Sequence, residues 1–177
     1  LALVALLLAA ARPMAVITLP SEQQTIVLAM DVSGSMRATD VEPDRLTAAQ
    51  NAAACRTLLT SGESLDECWR FGILQTLDDY TSALRRGGPG LAAGVFTDEP
   101  PRTGAVEVDA AFAALAEYLA ERDGWQAPGW ALDSSRRTTA WYPAVPAIFR
   151  ADADQESPEE FRRRGILITS RSLAEHE

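Results

Sequence analysis

Residues 25–36, TIVLAMDVSGSM, change from apolar to polar at a single position. Residues 26–30 form a short apolar run with β-branched members, which predicts a buried strand of a parallel sheet. Asp31 follows at once, so its carboxylate is predicted at the carboxyl end of the strand, where open α/β sheets bind ligands. Ser33 and Ser35 alternate behind it, and the intervening glycine permits the tight turn that lets the three side chains converge.

This motif predicts a cation site, because Asp31, Ser33 and Ser35 offer only oxygen ligands. Such ligands suit a hard cation such as Mg²⁺, Ca²⁺ or Mn²⁺. One carboxylate and two neutral hydroxyls offset little of the cost of dehydrating Mg²⁺, so we expect weak binding with water in the remaining positions. Asp31→Ala should abolish the binding, since it removes the single charge of the motif.

The pattern Asp31-x-Ser33-x-Ser35 after an apolar strand resembles the first motif of the metal-ion-dependent adhesion site in von Willebrand factor type A domains. The flanking segments, residues 11–13 and 40–53, resemble the membrane-anchored bacterial type A proteins of the aerotolerance class. The resemblance implies a partial, Rossmann-like type A domain over residues 14–60. It further implies that the serines bind the ion directly, that Asp31 binds it directly or through water, and that an acidic residue of a partner protein completes the coordination. The second and third metal motifs of the family are not identifiable.

The composition narrows the possible functions. The chain has 177 residues, of which 47% are hydrophobic and 23% are charged, as in ordinary globular proteins. Its net charge of −9 argues against a nucleic-acid partner. The one histidine, His176, is penultimate, so no catalytic triad or Cys–His pair is expected and the protein is predicted not to be an enzyme. Cys55 and Cys68 fit no metal spacing and are interpreted as partly buried thiols, with a disulfide left open.

The apolar run at residues 1–11, LALVALLLAAA, is shorter than the roughly 20 residues that a membrane helix needs. We interpret residues 1–13 as the end of a transmembrane helix that leaves the membrane at Arg12-Pro13. An apolar leader such as a signal-peptide core, or an ordinary buried helix, is the alternative. The first interpretation predicts a membrane-anchored protein whose soluble part lies outside the cytoplasm. If the N-terminal part is a remnant, the protein is instead expected in the cytoplasm.

Residues 65–177 are predicted to form a mainly helical module, so the expected fold is mixed: an α/β start followed by helices. Residues 69–74 fit a second strand, but a helix over residues 65–84 that ends at Arg85-Arg86 before two glycines fits equally well. The clearest predicted helix spans residues 107–122 and is stopped by Gly124. We expect its polar members Glu117, Glu121 and Arg122 to be exposed. Its apolar stripe is Val108, Ala111, Phe112, Leu115, Tyr118 and Leu119.

The C-terminal part contains a Trp/Pro-rich stretch over residues 125–146, which is expected to cap the core of a small helical domain. Ser157 and Pro158 are predicted to start a helix, with Phe161 facing inward. Residues 162–164, three arginines, are interpreted as the basic end of that helix, with a phosphate or nucleic-acid patch as the alternative.

Two functions remain open from the sequence. The first is a metal-ion-dependent, adhesion-type protein-binding module of a membrane-anchored type A protein, with an incomplete site. The alternative is a soluble helical regulatory or interaction protein with a non-functional N-terminal remnant, because residues 65–174 resemble small, uncharacterised bacterial helical proteins. A chain that joins a type A segment to a different helical module would be a fusion of two unrelated parts. Mg²⁺ or Mn²⁺ binding that depends on Asp31 would discriminate between the two functions.

Overall fold

The structure, a computed structural model, describes residues 47–174, all of which lie in one compact unit. This part of the chain is helical and contains no strand; its β-type pairing is an isolated parallel bridge between Trp141 and Ile166. The expected α/β class is therefore wrong for the residues described. The predicted strand at residues 26–30 lies outside them, but the predicted strand at residues 69–74 does not, and it is wrong because this segment is helical.

The helices form two groups, which are separated by a long connection over residues 124–149 that contains the Trp/Pro-rich stretch. They are α1 (Ala48–Thr60), α2 (Leu65–Cys68), a π-helical stretch (Trp69–Leu74), α3 (Gln75–Ala93), α4 (Val106–Asp123), α5 (Arg150–Glu156), α6 (Glu159–Arg162) and α7 (Arg171–Ala174). Short 3₁₀ turns are Gly94–Phe96, Gly129–Leu132 and Ala147–Phe149.

Helix α1 begins with a capping box. The Thr47 hydroxyl accepts a hydrogen bond from the Gln50 amide, and the Gln50 side chain accepts one from the Thr47 amide at 2.8 Å. These reciprocal bonds satisfy two amides that the first helical turn leaves unpaired. The face of α1 that enters the core carries small residues, which lets the helix approach its neighbours closely. This face is Ala48, Asn51, Ala52 and Cys55.

From Leu65 the chain stays helical through α2, the π-helical stretch and α3, as the helical alternative for residues 65–84 predicted. The predicted stop at the glycine pair coincides with a break inside α3. Gly88 has a φ of 73°, a conformation that glycine adopts without steric cost. Pro89 follows and begins a further helical segment, where its missing amide hydrogen costs little.

Helix α4 is the centre of the core. It ends as predicted, because Gly124 takes the left-handed conformation at a φ of 73°. The predicted apolar stripe is buried, except for a half-buried Tyr118, but the alanines beside the stripe are buried as well. The expectation of an exposed Glu117 is wrong: it is half-buried and its carboxylate pairs with Arg163 and Arg164.

The C-terminal segments close over α4. Phe161 is fully buried, as predicted, and contacts the ring of Tyr118 edge-on with centroids 5.9 Å apart. Ser157 does not cap α6. Its hydroxyl instead accepts from the Ile168 amide at 2.8 Å and donates to the Ala153 carbonyl, so it joins α5 to the last extended segment.

The three arginines at residues 162–164 have structural partners. Arg162 donates to the Ser157 carbonyl at 2.6 Å, and Arg164 is buried between Glu117 and the Ala131 carbonyl. These bonds hold Arg162 and Arg164 against other parts of the fold, and the choice between a basic helix end and a phosphate or nucleic-acid patch stays a prediction.

The described residues do not support the predicted membrane-anchored localisation. Among residues 47–174, no helix is both long enough and apolar enough to cross a bilayer. The apolar run at residues 1–11, on which that prediction rested, lies outside the described residues.

Candidate functional site

Two adjoining cavities among the described residues form a groove. One has a volume of about 630 Å³ and lies between the α2–α3 region and the Trp/Pro-rich loop. The other, about 410 Å³, continues along α5. Both are lined by Ala144, Thr169, Arg171 and Ser172, so they form one continuous surface depression, called the groove below. Its other main residues are Asp66, Glu67, Trp69, Arg70, Leu74, Asp78, Pro143, Val145, Pro146, Phe149, Asp152 and Glu156.

Two departures from regular backbone geometry face this groove. Ala144 has a φ of 53°, and among residues 47–174 it is the one non-glycine residue with positive φ. An alanine in this region is strained, and such strain concentrates at functional sites. The second departure is the π-helical stretch Trp69–Leu74, which presents Trp69, Arg70 and Leu74 to the groove. Short π-helical insertions are also frequent at functional sites.

A hydrogen bond holds the strained loop in place. The Ala144 amide donates to the Asp66 carboxylate at 3.2 Å, across 78 residues of sequence. This bond ties the Trp/Pro-rich loop to the first turn of α2, which Ser64 caps. The two walls of the groove are therefore fixed relative to each other by a direct contact.

Aromatic packing makes the floor of the groove rigid. Trp69 is almost completely buried and meets the ring of Trp141 edge-on, with centroids 5.9 Å apart. Its other side packs against Phe161 at 6.4 Å. Edge-to-face pairs of this kind add stabilisation beyond the area they bury. The Trp/Pro-rich stretch thus packs on the core, as expected, and also forms one wall of the groove.

Carboxylates outnumber guanidinium groups around the groove. The acids are Asp66, Glu67, Asp78, Asp152 and Glu156, and the bases are Arg70 and Arg171. The Ser170 amide and hydroxyl both donate to Glu156 at 2.9 Å, and these bonds lower the pKa of its carboxyl. Because a concave surface focuses the field of the charges that line it, the groove attracts cations.

A titratable network lies directly behind the groove wall. Asp79 is half-buried, and its burial raises the pKa of its carboxyl to about 6. Asn51 and Gln75 donate to this carboxylate and partly oppose the effect of burial. Asn51 also donates to the Thr76 hydroxyl at 2.8 Å, so the network joins α1 to α3.

The predicted metal ligands Asp31, Ser33 and Ser35 lie outside the described residues, and weak Mg²⁺ binding there stays a prediction. Within residues 47–174, no group of three or more His, Cys, Asp or Glu side chains could hold a metal ion. Cys55 and Cys68 are free and buried, more completely than the sequence suggested. Burial raises the pKa of the Cys55 thiol to about 12, which makes it a poor nucleophile.

Comparison with known proteins finds similarity over a short segment. A UPF0353 protein of Mycolicibacterium gilvum (strain PYR-GCK) is 51% identical over 53 residues, which is 30% of this chain and 16% of that protein. A UPF0353 protein of Nocardia farcinica (strain IFM 10152) is 56% identical over 50 residues, 28% of this chain and 15% of that protein. The matched segment thus spans about one sixth of these relatives. No family model and no solved structure matches the chain.

These findings correct the family assignment. The resemblance to von Willebrand factor type A domains is wrong as an identification, because no family model matches and the relatives found are named UPF0353 proteins. The described residues also lack the parallel sheet on which a type A domain is built.

Sequence reasoning missed the groove because its walls are far apart in the chain. The residues that meet there come from residues 66–78 and 143–172. The prolines at 143 and 146 were a local signal for one part of it, because they indicated an irregular loop. No local pattern shows that these two segments face each other.

Proposed function

We propose that residues 47–174 form a protein-interaction domain that binds a basic segment of a partner protein in the groove. The observation that carries this proposal is the composition of the groove: an excess of carboxylates surrounds an apolar floor that contains Trp69 and Pro143. The proposal develops the alternative drawn from the sequence, a helical interaction protein.

Several features favour binding over catalysis. The groove residues named above include no histidine and no cysteine, so its lining holds no Ser–His or Cys–His pair of the kind that activates a nucleophile. The carboxylates at its edge are exposed or half-buried. Glu156 has a lowered pKa, which keeps this carboxylate charged at neutral pH and unable to act as a general acid.

The charged edge and the apolar floor of the groove would contribute to binding in different ways. Exposed carboxylates would speed the approach of a basic segment and make binding depend on salt. Apolar side chains of the same segment would bury surface against Pro146 and Phe149, which are exposed at the groove, and such contacts supply most of the affinity in interfaces of this kind. The ideal occupant therefore combines Lys or Arg with Leu or aromatic residues.

The proposal is tested by fluorescence anisotropy with a labelled peptide in which Lys and Leu alternate. A peptide with Glu in place of every Lys serves as the first control. We expect micromolar binding of the basic peptide, near −8 kcal/mol, and no saturable binding of the acidic one. Affinity for the basic peptide should fall as ionic strength rises.

Charge reversal in the groove sharpens the test. The double variant Glu67→Arg with Asp152→Arg should weaken binding of the basic peptide about tenfold, or roughly 1.4 kcal/mol. It should strengthen binding of the acidic peptide. Asp98→Arg with Glu121→Arg, two charge reversals at exposed positions outside the groove, is the matched control and should change affinity less than twofold. Equal losses in both variants would show that net charge, not the groove, governs binding and would contradict the proposal.

A further inference from the structure

Cys55 on α1 and Cys68 at the end of α2 face each other in the core. The Cys55 thiol donates to the Cys68 carbonyl at 3.7 Å, and the Cys68 thiol donates to the Cys55 carbonyl at the same distance. Both residues have no exposed surface. The contact is therefore reciprocal, and each sulfur reaches the backbone of the other residue.

We propose that Cys55 and Cys68 form a redox modification site, which a peroxide or a small-molecule disulfide oxidises to an intramolecular disulfide. A disulfide requires Cα atoms roughly 4.4–6.8 Å apart and side chains that point toward each other. Side chains that each reach the other's carbonyl group meet the directional requirement and keep the backbones close. The bond would tie α1 to α2 across the exposed connection at residues 61–64.

The Cys55 sulfur occupies space that is open because residue 72 is a glycine. A Cβ atom built at Gly72 would lie 2.2 Å from the Cys55 sulfur, so any side chain at that position would displace the thiol. Gly72 is also buried in the π-helical stretch, which brings its backbone toward α1. Glycine at this position therefore leaves the space in which the two thiols meet.

Burial makes the site slow to react while the fold is closed. Burial and the neighbouring Cys68 raise the pKa of Cys55 to about 12, and burial also raises the pKa of Cys68. Because the thiolate is the reactive form, oxidation must await an opening that exposes the pair to solvent. The exposed connection between α1 and α2 is where that opening would begin.

With hydrogen peroxide the chemistry proceeds in two steps. One thiolate attacks a peroxide oxygen; the O–O bond breaks, a sulfenic acid forms, and the displaced hydroxide takes up a proton as water. The second thiol then attacks the sulfenic sulfur, the S–O bond breaks, and a second water leaves. Two thiols and one peroxide thus give one disulfide and two waters, with both sulfurs oxidised and the peroxide oxygens reduced.

Mass spectrometry of the full chain after peroxide treatment tests the proposal. We expect the loss of two hydrogen atoms, a linked pair of peptides that contain Cys55 and Cys68, and full reversal by a phosphine reductant. The reaction should accelerate at least tenfold at a urea concentration just below the unfolding transition. The melting temperature of the oxidised protein should rise by roughly 5–10 °C and return on reduction.

Cys55→Ser and Cys68→Ser are the control variants. The melting temperature of neither variant should rise on oxidation. The reversible reduction of the wild-type protein keeps the test valid if a variant fails to fold. Oxygen added to the two cysteines separately, a disulfide between two chains, or a melting temperature lowered by the bond would each overturn the proposal.

Discussion

Helix α4 and the groove use opposite principles of construction. Helix α4 has regular geometry from Val106 to Asp123, and its inward side chains are alanines and large apolar residues that are fully buried. The groove combines a strained alanine, a π-helical stretch and exposed charges. Strain and exposed charge lower stability, so the groove depends on the stability that α4 and its neighbours supply. We therefore expect substitutions in α4 to lower stability and substitutions in the groove to change binding.

The largest effect is expected from Leu115→Ala in the centre of α4. Leu115 is fully buried, so the change removes buried methyl groups and leaves a cavity that costs roughly 2–5 kcal/mol of unfolding free energy. Urea denaturation followed by circular dichroism measures the loss. A cost below about 1 kcal/mol would mean that α4 is not the centre of the core.

A somewhat smaller loss is expected from Glu117→Ala, which removes the carboxylate that pairs with Arg163 and Arg164. Arg164 is 5% exposed, so the change leaves a buried cation short of its counter-charge and should cost roughly 2–4 kcal/mol. Glu121→Ala, one turn away on the same helix, is the matched control. Burial raises the pKa of Glu160 and the neighbouring Glu121 raises it further, so removing Glu121 should leave the stability unchanged or slightly higher.

The pH dependence of stability tests the network behind the groove. Burial raises the pKa of Asp79 to about 6 in the folded protein, above the ordinary value of 3.8, so the folded state holds this proton more tightly than the unfolded state. Its contribution is therefore fully present below pH 3.8 and is lost as the pH rises through about 6. Because Asp79 is only partly buried, we expect this loss to be about 1–2 kcal/mol.

Asp79→Asn isolates that contribution. The amide cannot titrate, so the difference in unfolding free energy between variant and wild type should change between about pH 4 and 6 and stay constant above pH 7. Urea melts at several pH values provide the measurement. A difference that is independent of pH would show that Asp79 titrates at its ordinary pKa.

The smallest effects come from the same substitution made in each region. Ala114→Gly in α4 should cost about 1–2 kcal/mol, because glycine loses more conformational freedom in a helix and because the change removes a buried methyl group. Ala144→Gly should instead leave stability unchanged or raise it by up to about 1 kcal/mol, since glycine adopts the φ of 53° without strain. Thermal melts compare the two variants. Equal losses in both would mean that the loop at Ala144 is not strained.

The sequence predicted the features that local patterns encode. The stripe from Val108 to Leu119 and the stop at Gly124 follow from helical periodicity and from a residue that tolerates left-handed geometry. The burial of Phe161 and the break at Gly88 were also predictable from neighbouring residues. These features need no knowledge of the distant parts of the chain.

The remaining features depend on contacts between distant segments. Residues 69–74 contain Trp69, Phe71 and Ile73, which favour strands, yet packing against α1 holds the segment in a helix, so tertiary contacts override local preference. Glu117 looked exposed because its partners lie 46 and 47 residues further along the chain. The groove was missed for the same reason, since Asp66 and Ala144 meet only in the folded domain.

Peptide binding in the groove is tested most directly by mapping backbone amide shifts by nuclear magnetic resonance during titration with the Lys/Leu peptide. The amide signals of Trp69, Ala144 and Ser170 in the groove should shift progressively, together with the indole signal of Trp141. Amide signals from the interior of α4, such as that of Phe112, should not move. Shifts spread evenly over the surface, or concentrated on a face away from the groove, would contradict binding in the groove.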